Sequence, residues 1–292
     1  MPPSKIAVAI IHGVGHGVGE DDAEFAKPMM DELRDRFVAL MPDEVDDPAA
    51  QLVLEPVYWA HLMQGAQNAL WEKLEEHDQL DFVALRRFVI EFAGDAIAYQ
   101  PSPQGRELYD TVHAEMARSL RKLAGRAGDR APLCVIAHSL GSIIASNYVY
   151  DLQQLPQRDL VAASVHDEMG DTPLERGETF TGFYTMGGPL ALWSLCYPDL
   201  GKAIRVPSPQ LAQHHPNVEG EWSNFYDKDD VIGYPIKNLN PSYEAAVTCD
   251  LPVNVGGLLG HWNPMSHNGY WTDNDVTKPI AGSLVRLWQQ AQ

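Results

Sequence analysis

Apolar positions along the chain alternate between short continuous runs and helically spaced stripes. Residues 5–11, Lys-Ile-Ala-Val-Ala-Ile-Ile, form an unbroken β-favouring run, the pattern of a strand covered on both faces. The run ends in a Gly-rich turn, His12-Gly13-Val14-Gly15-His16-Gly17-Val18-Gly19. From Glu20 to Leu40, the positions Phe25, Met29, Leu33, Phe37 and Leu40 recur at helical spacing and predict a helix. Gln51 to Trp59 reads as a second strand. Between 60 and 98, Leu62, Ala66, Leu70 and Leu74, then Phe82, Leu85, Phe88, Val89 and Phe92, predict two or three helices. A Pro-containing loop at 100–105 follows, then a helix over about 106–124, a buried-strand run at Leu133–Ala137 and a helix from about 140 to 153. Residues 155–178 are polar, contain Pro and Gly, and read as an exposed excursion. Thr179 to Met186 predicts a strand and Gly188 to Leu195 a short helix, after which Pro and Gly are frequent up to residue 269. The last predicted helix, about 273–290, carries Val276, Ile280, Leu284 and Leu287 on one stripe.

Strands alternating with helices predict an α/β fold with a mostly parallel central sheet and helices on both faces. The block at 60–98 is too long for a single crossover and is expected to be a helical insertion or cap. No internal repeat or low-complexity linker divides the chain, and 292 residues suit one large domain spanning 1–292. Charge narrows the partners. Lys+Arg is 21 against Asp+Glu 40, a net charge of −19, which lacks the basic footprint of a nucleic-acid binder. The same balance disfavours docking on anionic lipid. Three widely spaced cysteines make no disulfide framework. The N-terminal apolar run is too short for a signal peptide, and no run reaches the roughly 18 apolar residues of a membrane span. The expectation is a soluble, cytoplasmic protein without a stable membrane anchor.

The strongest chemical signal is Val135-Ile136-Ala137-His138-Ser139-Leu140-Gly141-Ser142-Ile143-Ile144-Ala145. An apolar strand runs directly into Ala-His-Ser-Leu-Gly and then into an apolar helix, the pattern of a nucleophile elbow with Ala137 in the first small position. Such a turn exposes the serine hydroxyl at the carboxyl edge of the sheet and aims backbone N–H groups at developing negative charge. The competing reading makes Ser139 an ordinary helix N-cap. Ser142, one turn further in, reads as structural. The loop His12-Gly13-Val14-Gly15 supplies a candidate oxyanion donor at Val14, paired with the N–H of Leu140. Its glycines fit neither the dinucleotide-binding nor the Walker A pattern. His12 and His16 are not joined by a carboxylate or thiol at ligand spacing, so no metal is expected.

A serine nucleophile needs a base, and the base needs a carboxylate that fixes its tautomer. In a hydrolase of this architecture the chain order is Ser, acid, His. After an aromatic strand end at 224–226 come Asp227, Asp229 and Asp230. Asp230, directly before the apolar pair Val231-Ile232, is the preferred acid, with Asp229 and then Asp227 behind it; all three could equally be turn residues. Of eleven histidines, His113, His166, His214 and His215 sit in helical or polar contexts and are expected to be solvated. His12 and His138, with Gly13, flank the proposed oxyanion loop and nucleophile and are expected to shape the pocket. His261 and His267 precede the last helix, and His267, nearer to it, is the preferred base.

Five segments together resemble the lipase-like and esterase-like α/β-hydrolases: Ile-His-Gly-Val-Gly (11–15), Val-Ile-Ala-His-Ser-Leu-Gly-Ser (135–142), Gly-Gly-Pro-Leu-Ala-Leu-Trp (187–193), Asn-Phe-Tyr-Asp-Lys-Asp-Asp-Val-Ile (224–232) and Ser-His-Asn-Gly-Tyr-Trp (266–271). The resemblance covers nearly the whole chain except the 60–98 block. It implies the α/β-hydrolase fold, His267 as base, Asp230 as acid, and a cofactor-independent serine hydrolase acting on a small-molecule ester or lipid. A phospholipase or thioesterase on the same fold is an alternative. A non-catalytic, hydrolase-like binding protein is an alternative of another class. The apolar residues Leu62, Met63, Leu70, Trp71, Leu74 and Phe82 could line an acyl pocket, but their helical spacing is what packing requires anyway.

Overall fold

The computed structural model describes residues 4–13, 24–75, 83–101, 105–255 and 264–292. The six strands are β1 (Ile6–Ile11), β2 (Leu52–Val57), β3 (Leu133–His138), β4 (Phe180–Met186), β5 (Glu221–Asp227) and β6 (Cys249–Val253). Every pairing is parallel, and the order across the sheet is β2-β1-β3-β4-β5-β6. The helices are α1 (Lys27–Leu40), α2 (His61–Glu75), α3 (Val83–Tyr99), α4 (Glu107–Ala127), α5 (Leu140–Gln154), α6 (Ala163–Glu168), α7 (Leu190–Ser194), α8 (Leu211–His214), α9 (Pro241–Ala246) and α10 (Asn274–Gln290). This is the α/β fold with a parallel central sheet and helices on both faces that the sequence led us to expect.

The continuous apolar runs work because alternate residues of each strand point to opposite faces. Ile6, Val8 and Ile10 of β1 pack with Met29, Leu33 and Phe37 of α1 and with Ile280 and Leu284 of α10. Ala7, Ala9 and Ile11 face the other layer, where Val112, Met116 and Leu120 of α4 meet Ile143 and Tyr148 of α5. Burying one such large apolar side chain contributes about 1.5–3 kcal/mol. In the 60–98 block, Leu62 and Phe92 pack against the α4–α5 layer and Trp71 is buried, whereas Leu70 and Leu74 are exposed. The side chains of Met63 and Phe82 lie outside the described residues.

Several expectations shift. Helix α1 begins at Lys27, and Glu24 to Ala26 form a turn. Pro28 explains this: proline is tolerated in a first helical turn but not in a helix interior. The polar excursion at 155–178 contains α6, which docks on α4 through buried Val165 and an ion pair from Arg118 to Glu168 at 2.9 Å. The Pro- and Gly-rich region before 269 contains the strand β6. Its run Cys-Asp-Leu-Pro-Val is tolerated because, among the described residues, β6 pairs only with β5, and an edge strand can carry a proline. His113 is buried, against expectation. Its Nε2 lies 2.9 Å from the Tyr99 hydroxyl, and Asp151 lies 3.5 Å from its Nδ1.

Register decides what meets at the carboxyl edge. Ile11 pairs with Ala137, His138 with Met186, and Met186 with Phe225. The ladder continues one residue beyond the strands: Ser139 N–H donates to Met186 O and Gly187 N–H to Phe225 O, each at 3.0 Å. His12-Gly13, Ser139, Gly187 and the 228–230 turn therefore emerge side by side.

Candidate active site

Ser139 occupies the turn between β3 and α5 with φ 53° and ψ −129°. A non-glycine residue there is strained, at a cost of about 1–3 kcal/mol. Its side chain does not cap α5, which removes the N-cap reading. Ser142 is structural, as expected: its Oγ donates to the Ser139 carbonyl at 2.7 Å. Ser139 Oγ is buried and makes no hydrogen bond among the described residues. Leu140 opens α5, and its N–H, like those of any first helical turn, has no acceptor within the helix.

Two glycines allow this crowding. A Cβ on Gly141 would sit 2.5 Å from the His12 carbonyl oxygen, so α5 can start against the β1 exit only without one. A Cβ on Gly13 would sit 2.3 Å from Ser139 Cβ and 2.8 Å from Ser139 Oγ. The backbone of Gly13 thus lies against the serine side chain. Val14, the expected oxyanion donor, lies outside the described residues, as do His16 and His261.

The loop is anchored through His12. Trp59 N–H donates to His12 Nε2 at 3.2 Å, and the Trp59 indole N–H donates to His12 O at 3.0 Å. With Nε2 accepting, Nδ1 carries the proton and donates to Gly13 O at 2.5 Å. The two rings stack with an interplanar angle of 2° and centroids 5.2 Å apart. His12 is therefore held in one tautomer by its neighbours.

Of the three aspartates, Asp230 is the one bonded to His267: His267 Nδ1 donates to Asp230 Oδ2 at 2.9 Å, with both side chains buried. Asp227 instead organises the backbone, accepting from Asp229 N–H at 2.9 Å and Val255 N–H at 2.7 Å. Asp229 is exposed. Burial pushes the Asp230 carboxyl up. The His267 hydrogen bond and charge, the Ile232 N–H and the Tyr270 hydroxyl outweigh it, and the net direction is down. The pair comes to the serine because β3 alternates. Cys134 and Ile136 face the α1–α10 layer, and His138, two residues on, faces the same way. His138 Nε2 donates to His267 O at 2.7 Å, and the two rings lie 4.7 Å apart.

One residue was missed in the sequence. Tyr270 donates its hydroxyl to Asp230 Oδ2 at 3.0 Å and accepts from Asp227 N–H at 2.8 Å, clamping the acid turn. Burial first, then the Asp230 charge, raises its pKa, so the hydroxyl keeps its proton. The signal was present: Tyr270 is three residues after His267 in a 3₁₀ segment, Pro264–Trp271, where i and i+3 share a face.

Ser139 and the His267–Asp230 pair both border Met186-Gly187: Ser139 N–H bonds Met186 O, and a Cβ on Gly187 would sit 3.0 Å from Asp230 Oδ2 and 3.2 Å from His267 Cε1, while Ser139 Oγ itself is unbonded among the described residues. Nucleophile–base hydrogen bonds are often long in unliganded sites. His166, His214 and His215 lie elsewhere, on Asp159, Glu178 and the Arg130 carbonyl. Among the described residues, no group of three or more His, Cys, Asp or Glu side chains is placed to hold a metal ion. No helix among them is long and apolar enough to cross a membrane. A cavity of about 360 Å³ opens further along α5, lined by neither Ser139 nor His267.

No family model matches the chain, and no curated protein matches its sequence. Among solved structures, the chain is similar to the esterase domain of a Rhodothermus marinus protein. The identity is 11% and the TM-score 0.38, over 98% of this chain and 89% of that one. It is also similar to a structure of the metagenome-derived lipolytic enzymes LipS and LipT. There the identity is 14% and the TM-score 0.35, over 86% of this chain and 84% of that one. Likeness this distant carries no weight for activity, so the functional reading rests on the residues.

Proposed function

We propose that the chain is a serine hydrolase cleaving carboxylic esters, with Ser139 as nucleophile, His267 as base and Asp230 as the acid that orients it. The observation that carries this reading is the buried 2.9 Å bond between His267 and Asp230, set beside a serine in strained backbone at a strand-to-helix turn. Ser139 Oγ attacks the ester carbonyl while its proton passes to His267 Nε2. The tetrahedral oxyanion is held by backbone N–H groups, Leu140 at the start of α5 and Val14 in the glycine loop. Collapse breaks the ester C–O bond, and His267 returns the proton to the leaving alcohol. Water, deprotonated by His267, then attacks the acyl group, releasing the acid and regenerating the Ser139 hydroxyl. Asp230 keeps the Nδ1–H tautomer and balances the imidazolium formed in each half-reaction. The 60–98 block acts as a cap on one domain spanning 1–292, and the substrates are small or medium esters rather than lipid aggregates.

The test is labelling with a fluorophosphonate probe, on the wild type and on Ser139→Ala. Labelling of the wild type that disappears in the variant supports the reading. Equal labelling of both, or none of either, overturns it. A series of nitrophenyl esters then tests the size class, and a maximum at long acyl chains contradicts the preference for small substrates.

A further inference from the structure

The cavity along α5 has no place in the chemistry described above. It presents Ile143, Asn147 and Tyr150, residues at i, i+4 and i+7, on one face of α5. At 1.5 Å rise per residue, this stripe starts about 6 Å along the axis from Ser139 and ends about 16 Å from it. The opposite wall is α7 and the segment after it, which follow directly from the Gly187 turn beside Ser139 and His267. The volume of about 360 Å³ lies within the range of small-molecule sites, about 300–1,000 Å³.

The lining combines the aliphatic Ile143, Leu190 and Ile204 with aromatic, polar-tipped side chains. Trp193, Tyr197 and Tyr243 join Tyr150 around it. The Trp193 indole N–H is buried and closes no hydrogen bond of ordinary geometry, although the Tyr197 hydroxyl lies beside it. Asn147 donates from Nδ2 to the Tyr99 hydroxyl at 3.3 Å, which leaves its carbonyl oxygen as an acceptor at the wall. The rim is held in strained backbone: Asp199 and Leu200 have φ of 53° and 61°. Asn240 fixes them by donating to Asp199 O and Gly201 O, each at 3.0 Å.

A plain alkyl chain in this cavity would leave the buried indole N–H unpaired and cover an amide oxygen and phenol hydroxyls without replacing their hydrogen bonds. A flat ring bearing its own hydroxyl stacks on the aromatic walls and supplies those bonds. We propose that this cavity binds a hydroxyaryl group, and that esters carrying one are the preferred substrate class. The inference rests on the hydrolase reading for its kinetic consequence and on the cavity alone for binding.

Binding is measured first, by titration calorimetry of the Ser139→Ala protein with 4-ethylphenol and with 1-octanol. The phenol is expected to bind saturably and at least tenfold more tightly. Ser146→Phe, which fills the cavity from α5, is expected to weaken the phenol at least tenfold. Asn147→Leu, which fills nothing, is expected to narrow the preference for 4-ethylphenol over ethylbenzene, and it decides the matter if Ser146→Phe does not fold. With Ser139 intact, kcat/KM for the nitrophenyl ester of 3-(4-hydroxyphenyl)propionate over that of octanoate is expected to exceed ten, and to fall at least tenfold in Ser146→Phe. Octanol binding as tightly as the phenol, or phenol binding indifferent to both variants, overturns the inference. Phenol binding without fluorophosphonate labelling overturns the hydrolase reading alone, and labelling without phenol selectivity overturns this one alone.

Discussion

The closest test of the site's construction is Gly13→Ala. A methyl group at Gly13 meets Ser139 Cβ at 2.3 Å, Ser139 Oγ at 2.8 Å and the His138 carbonyl oxygen at 3.1 Å. Reaching ordinary contact at 3.4 Å requires a retreat of about 1.1 Å from Ser139 Cβ. Neither partner yields easily. Ser139 is fixed by its N–H bond to Met186 O, and the loop by the two Trp59 bonds to His12. Overpacking of this kind costs about 1–3 kcal/mol. Each kcal/mol lowers Tm by about 2–4 °C in a large domain, so the variant stays folded at 25 °C. The effect on reactivity is larger, because a 1 Å misplacement of reacting groups costs about 100-fold. The assay is the second-order rate constant of fluorophosphonate labelling, read beside a thermal melt. The expected result is labelling about 100-fold slower with a Tm only a few degrees lower. Labelling at the wild-type rate would refute the contact between the glycine loop and the serine.

Five other variants have expected outcomes. Asp230→Asn presents an amide to His267 Nδ1 and disfavours the required tautomer, lowering kcat by about 10⁴-fold. Asp229→Asn, at an exposed position, leaves ester turnover and Tm near wild type, and a reversal of the two results would reassign the acid. Tyr270→Phe leaves the buried Asp227 N–H without its acceptor and costs about 1–3 kcal/mol in urea unfolding; an unchanged midpoint would contradict the clamp. Gly282→Ala adds a methyl group that meets nothing within 4 Å on the exposed face of α10, so it stabilises by about 1 kcal/mol with unchanged labelling. His113 tests the buried polar network. Burial lowers its pKa from the ordinary 6.5, with Asp151 opposing in part. The unfolded chain then binds a proton that the folded chain refuses, so this contribution to stability is complete above about pH 6.5 and is lost as pH falls below it. His113→Gln should flatten the dependence of Tm on pH on that acidic side, and an identical slope in both proteins would exclude the assignment.

Much of this protein was legible residue by residue. Unbroken apolar runs named β1 and β3, because a strand buried on both faces needs no polar alternation. Helical stripes named α4 and α10. The Ala-His-Ser-Leu-Gly turn could be read because its constraint is local: a strand, a tight turn and a helix within eleven residues. The edge strand β6 escaped, since its residues lack the apolar continuity that only an interior strand requires. The burial of His113 escaped as well. A histidine on an otherwise amphipathic helix looks solvated until Tyr99 and Asp151 arrive from α3 and α5 to bond it.

The sequence by itself determined the order of elements, the elbow serine and a short set of candidate acids and bases. Tertiary structure alone decided which aspartate bonds His267, because three candidates within four residues differ only in where the exit of β5 turns them. Asp227 is spent on backbone N–H groups, Asp229 faces solvent, and Asp230 turns inward under Tyr270. It also decided that Gly13 must touch Ser139 and that His138 must hold the His267 carbonyl. Those contacts join segments more than a hundred residues apart, and the register of parallel strands, which no local pattern encodes, is what brings their ends to one edge.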